Sequence, residues 1–119
     1  MGFEELLVYK EAFSLAMDIF QLSKRFPKEE IYNLTDQVRR SSRAVCACIS
    51  EGYRKRKYNS YFQSKLSDAD MGNSETQVWL RFCFECQYIN KETYIMLKET
   101  SMRIGRRLNH MMKNYSKFQ

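Results

Sequence analysis

Phe62, Leu66, Ala69, Asn73, Thr76, Leu80, Cys83 and Gln87 recur at three- and four-residue steps along one stretch of the chain. That spacing keeps them on one side of a helix; a strand would instead alternate every second residue. Run over residues 59–88, the pattern predicts a helix of about 40 Å at ~1.5 Å per residue. A helix of that length needs neighbours to cover its stripe. The rest of the chain supplies three.

Residues 5–26 carry two stripes at helical spacing, Val8, Ala12, Leu15, Ile19, Leu22, Phe26 and Tyr9, Phe13, Ala16, Met17, Phe20. So wide an apolar face fits a helix that touches more than one neighbour, or a second subunit. Pro27 stops it, and "FPKEEIYN" makes the first turn. A second helix, 33–55, is expected to start with Asn33 capping its free amides, Asp36 following three residues on. Its inner side holds Leu34, Val38, Ser41, Val45, Ile49 and Gly52, and the small residues Ser41, Ser42, Ala44, Ala47 and Gly52 permit close packing. "GYRKRKYNS" is the second turn, with Asn59 or Ser60 as the next cap. A fourth helix, 91–114, restarts at Asn90 and carries Tyr94, Leu97, Ser101, Ile104, Leu108 and Met111. One proline and four glycines in 119 residues leave little room for anything else. The chain reads as all-α, a single domain (1–119) forming an up-down-up-down antiparallel four-helix bundle.

Hydrophobic residues make up 44% and charged residues 29%, the balance of a soluble globular chain. No apolar run approaches the ~20 residues that span a bilayer. The start, "MGFEELLVYKEAF", has three acids and no cationic n-region, unlike a signal peptide. A cytoplasmic setting is the expectation.

The net charge of +6 is unevenly spread. Between Arg39 and Lys57 lie seven basic residues (Arg39, Arg40, Arg43, Arg54, Lys55, Arg56, Lys57) against Glu51 alone. Arg103, Arg106, Arg107, Lys113 and Lys117 follow near the C-terminus with no acid among them, whereas Asp68, Asp70 and Glu75 mark the third helix as more acidic. Clustered cations attract polyanions, nucleic acid above all; the plainer reading is a solvated face. Arg39 lies at the border of the second helix's stripe, where Glu75 is a plausible partner for an architectural ion pair between helices.

Cys46 and Cys48, then Cys83 and Cys86, suggest zinc spacing at first sight. On a helix, however, positions i and i+2 diverge by about 200°, so Cys46 and Cys48 do not easily share an ion. Cys83 and Cys86 sit in the apolar run "WLRFCFEC" with no turn around them. Free cysteine packs as a small hydrophobe, so packing, with no metal and no cofactor, is the expectation.

In order, "FEELLVYKEAF", "FPKEEIYNLTDQVRRSS", "ISEGY" and "IGRRLNHMMK" resemble the family of proteins encoded in intervening sequences of bacterial 23S ribosomal RNA genes, the S23 or four-helix bundle proteins. The likeness runs the whole chain. Where that family commonly has proline and asparagine before its "AEGY", this chain has Cys46 and Cys48; where it has the "LGYI" turn, this chain has Cys86-Gln87-Tyr88-Ile89. The resemblance implies a helical bundle assembling into a ring-like homopentamer. It also implies a fold similar to the accessory protein of diversity-generating retroelements, which is basic and associates with a reverse transcriptase and nucleic acid.

Catalysis needs positioned acids, bases or nucleophiles. The sole histidine, His110, has no carboxylate at i±3 or i±4, and no glycine-rich phosphate loop exists. A non-enzymatic protein is therefore expected. One reading is a nucleic-acid-associated scaffold, RNA or DNA meeting Arg54, Lys55, Arg56, Lys57, Arg103, Arg106, Arg107 and Lys113. On it Tyr53, Tyr58 and Tyr61 either stack on unpaired bases or cap the bundle end. The other is an adaptor that recruits a polymerase-type protein without touching nucleic acid. A membrane role for residues 91–113 is disfavoured, because their apolar stripe is needed inside the bundle.

Overall fold

The computed structural model of the chain describes residues 2–119. Four helices carry it: α1 (Leu7–Ser23), α2 (Leu34–Arg54), α3 (Asn59–Glu85) and α4 (Lys91–Lys113). Single 3-10 turns at Phe3–Glu5, Lys28–Glu30 and Tyr115–Phe118 sit at their ends. No strand occurs among the described residues. Each helix packs on two neighbours, α1 on α2 and α4, α3 on α2 and α4, and the α2–α3 pairing is the most extensive. Cross-helix pairs run in opposite directions: Ser41 meets Thr76 while Gly52 meets Phe62, and Gln63 meets Met112 while Asn73 meets Ser101. The result is an antiparallel four-helix bundle, 44 Å along its long axis.

The stripes of α2 and α4 are buried at every expected position, and that of α3 from Phe62 to Cys83. α1 divides its wide face. Val8, Ala12, Leu15 and Ile19 enter the core with Ala16, whereas Phe13 and Met17 stay exposed. Gly52 and Gly105, from the "EGY" and "IGRRLN" stretches, are close-approach positions. A Cβ on Gly52 would come within 3.0 Å of Lys65 Cβ, and one on Gly105 within 3.3 Å of the Asn73 amide nitrogen.

Several helix ends depart from expectation for local reasons. α1 stops at Ser23, not 26, because the amides of Arg25 and Phe26 bond only three residues back, to Leu22 and Ser23. It starts at Leu7 because Leu6 is extended. Asn33 does not cap α2. Its side-chain amide donates to the Glu29 carbonyl, and the Leu34 amide is met by the Glu30 carboxylate at 3.3 Å. The other Glu30 oxygen accepts from the Tyr88 hydroxyl at 2.8 Å, which ties the first turn to the end of α3 and pushes the phenol up to about 12. Neither Asn59 nor Ser60 caps α3, which already includes both. Asn90 does cap α4, accepting from Thr93 at 2.8 Å.

α3 ends at Glu85, three residues before 88, in a reversal that locates the missing glycine. Gln87 has φ 65°, the left-handed region. The Gln87 amide bonds to the Phe84 carbonyl and the Tyr88 amide to the Cys83 carbonyl, each at 2.9 Å, the Schellman pattern. The backbone thus keeps a glycine conformation on a residue with a side chain. Gln87→Gly is expected to raise stability by about 0.5–1 kcal/mol, read as a higher denaturant midpoint at unchanged slope. A fall in midpoint would contradict that assignment.

Midway along the bundle lies a polar layer. Asn73 donates to the Ser101 carbonyl at 2.8 Å and accepts from the Ser101 hydroxyl at 2.7 Å. Gln77 donates to the Ser101 hydroxyl, and Thr76 bonds both the Ser41 hydroxyl and the Gly72 carbonyl at 2.9 Å. Asn73, Thr76, Ser101 and Ser41 are all buried. Each polar atom so placed finds a partner, which is the condition for tolerating it there.

Candidate nucleic-acid interface

The topology brings two basic stretches, 46 residues or more apart in sequence, to one end of the molecule. In an antiparallel bundle the start of α1, the α2–α3 turn and the end of α4 share a pole. Here Gln63 joins α3 to α4 through the Met112 carbonyl at 2.8 Å, and the Phe62 and Phe118 rings meet edge to face at 6.4 Å. Arg54, Lys55, Arg56 and Lys57 therefore stand on the same pole as Lys113, with Arg103, Arg106 and Arg107 along the last turns leading to it. Arg54, Lys55, Lys57, Arg103, Arg106 and Lys113 are exposed; Arg56 and Arg107 are half-buried.

The side chains differ in readiness. Arg56 is held in place, its guanidinium 4.2 Å from the Tyr53 ring centroid and bonded to the Tyr53 carbonyl at 3.0 Å. The three tyrosines divide. Tyr53 is buried and caps the bundle end, whereas Tyr58 is 67% exposed and Tyr61 is 38% exposed, each with a lysine ammonium (Lys55 and Lys65) 5.9 Å from its ring centroid.

Arg103 and Arg107, one helical turn apart, both donate through Nε to the carboxylate of Glu11 on α1. Burial alone would raise the Glu11 carboxyl, but the two guanidiniums outweigh it and hold it below the usual carboxylate range. No acid occurs in the C-terminal stretch itself, so this compensation comes from 92 and 96 residues away. The i, i+4 arginine pair was the visible signal that one acid on a facing helix serves both.

The Arg39–Glu75 pair does not form. Arg39 turns toward α1, donating to the Ser23 hydroxyl at 2.7 Å with its guanidinium 4.9 Å from the Phe20 centroid. Glu75 directly precedes buried Thr76, so it faces solvent and makes no ion pair among the described residues. Glu51, the other acid on this side, pairs across α2–α3 with Lys65 at 3.1 Å.

His110 is exposed on the last turn of α4, its Nδ1 3.3 Å from the Asn114 amide nitrogen. Among the described residues no group of three histidine, cysteine or acidic side chains is placed to hold a metal ion. Cys83 is buried and Cys46 and Cys48 are half-buried against the core, but Cys86 is exposed, contrary to a purely packing role. Burial pushes the Cys83 thiol up to about 12 and the Cys46 thiol up to about 11. In native protein at pH 8, iodoacetamide is expected to modify Cys86 first and Cys83 only on unfolding, as followed by intact and peptide mass. Equal rates at the two would contradict the α3 packing.

Between the start of α1 and the end of α4 opens a cleft of about 500 Å³. Its walls are Leu6, Leu7, Val8, Met111 and Phe118 on the apolar side and Arg103, Arg106, Arg107 and His110 on the polar side. No helix of the described residues is long and apolar enough to cross a membrane.

The fold recurs in the crystal structure of a protein of unknown function from the S23 ribosomal protein family of Bacteroides thetaiotaomicron VPI-5482. The two superpose with a TM-score of 0.81 at 26% identity, over 90% of this chain and 96% of that one. No curated protein matches the sequence. The family described as 23S rRNA-intervening sequence protein matches residues 4–110. A match of that span, joined to a superposition over nearly the whole bundle, places this chain in the 23S rRNA-intervening sequence protein family.

Proposed function

We propose that this chain is a non-enzymatic, self-associating bundle that binds nucleic acid, structured RNA foremost, through its basic pole. The observation that carries this is the convergence of Arg54, Lys55, Arg56 and Lys57 with Lys113 at one end of the fold, with Arg103, Arg106 and Arg107 along α4 between that end and the middle of the bundle. Phosphate contacts need cations in a row along a surface, and a bundle end made of two basic segments offers them. Tyr58, exposed beside Lys55, adds a ring on which an unpaired base can stack. This favours RNA loops over a regular duplex. The non-enzymatic reading is supported by His110, which is exposed, lies against the Asn114 amide and has no acid at i±3 or i±4.

Self-association, as the ring-like homopentamer the family likeness implies, is part of the proposal. Phe13 and Met17 on α1 support it, since large side chains exposed in line on one helix suit contact with a second copy. A ring would repeat the basic pole and multiply weak phosphate contacts into avidity. Titration of a structured RNA and of duplex DNA onto the protein over a potassium chloride series tests the reading.

A further inference from the structure

We propose that the cleft between the start of α1 and the end of α4 is a binding site for a small amphipathic anion, a carboxylate or phosphate group on a hydrocarbon body. The inference does not require the polyanion reading, although both draw on Arg103, Arg106 and Arg107. It rests on the cleft's shape and on the division of its walls. At about 500 Å³ the cleft falls within the ~300–1,000 Å³ of small-molecule sites. One side is aliphatic and aromatic, formed by Leu6, Val8, Met111 and Phe118. The other carries Arg103, Arg106 and Arg107, three guanidiniums against the single carboxylate of Glu11.

Glu11 does not cancel the site. It takes one Nε donor from each of two arginines, and a guanidinium has five N–H donors. Its effect is to hold Arg103 and Arg107 in one orientation, so that little side-chain freedom remains to be lost on binding. Arg106 makes no ion pair among the described residues and is the free cation of the three. Glu4 and Glu5, in the turn just before α1, do not line the cleft, so its charged wall is the arginine side. An anionic head at this place meets guanidinium donors, while its body lies against exposed Leu7 and half-buried Phe118, with the edges of buried Leu6, Val8 and Met111 behind them. A free inorganic anion would leave that wall uncovered, and a neutral hydrocarbon would leave the arginines unused.

Decanoate below its micelle concentration is the probe, with acetate and decanol as controls, followed by calorimetry and amide chemical shifts. The expected result is saturable one-to-one binding of decanoate, with shifts confined to the start of α1 and the end of α4. Acetate and decanol bind at least tenfold more weakly, Arg106→Ser weakens decanoate at least tenfold, and Leu7→Ser, at an exposed position, weakens it without unfolding the chain. Decanol binding as tightly as decanoate would overturn the proposal, as would an Arg106→Ser variant of unchanged affinity. Absence of saturable binding, or binding only to phosphatidylglycerol vesicles and not to monomeric decanoate, would overturn it too. RNA binding that persists while decanoate fails to bind would separate the loss of this site from any loss of the polyanion surface.

Discussion

Asn73→Ala is expected to cost about 3 kcal/mol of stability, read as a fall of about 10 °C in the thermal midpoint. Asn73 is 2% exposed, and its amide both gives a hydrogen bond to the Ser101 carbonyl and takes one from the Ser101 hydroxyl. Truncation removes both and opens a cavity beside Gly105, whose missing Cβ is what leaves room for the amide. It also leaves the Ser101 hydroxyl with only Gln77 and a long contact to the Asn73 carbonyl at 3.4 Å. Ser101→Ala alone costs less, and the double variant loses less than the sum of the two, by at least about 0.5 kcal/mol, since both changes remove one shared bond. A loss below about 1 kcal/mol for Asn73→Ala, or strict additivity, would contradict the view that this layer fixes the register of α3 on α4.

Helix number, direction and core stripes were legible because the stripes of α2, α3 and α4 obey one period without interruption. Burial followed that period so closely that even Asn73, Thr76 and Ser101 lie in the core where the pattern placed them. What the sequence concealed were contacts between helices. Asn33 looked like a cap, but its side chain turns back to the Glu29 carbonyl, and the Glu30 carboxylate takes the Leu34 amide and also serves Tyr88. Arg39 and Glu75 looked complementary, yet Arg39 turns to Ser23 and Phe20 of α1 and Glu75 faces solvent, a difference of direction that pairing by charge alone does not see. Gln87 hid a left-handed residue because the conformation is held by two backbone bonds, not by a glycine. The basic pole was legible as two separate stretches. That they meet follows from antiparallel topology, whereas the cleft between α1 and α4 and the role of Glu11 required side chains in three dimensions.

Changing Arg54, Lys55, Arg56 and Lys57 together to serine is expected to remove most nucleic-acid affinity while leaving the bundle intact. Three of the four are exposed, and the fourth lies over Tyr53 at the surface end of α2, so no core contact is lost. Each phosphate contact contributes a slope of about −0.9 for duplex and −0.7 for single strands in the logarithm of affinity against the logarithm of salt. Four lost contacts make the slope shallower by about 3 and weaken binding on the order of a hundredfold to a thousandfold at 0.1 M salt. Circular dichroism and solution mass are the controls, both expected to match the unchanged protein. Retained binding in this variant would move the site to Arg103, Arg106, Arg107 and Lys113.

The most direct test of the basic pole is the salt dependence of wild-type binding to a structured RNA. The account predicts tight binding at low salt that weakens steeply and linearly on logarithmic axes, with a slope corresponding to four or more phosphates. No binding at low salt, or binding indifferent to salt, would contradict it.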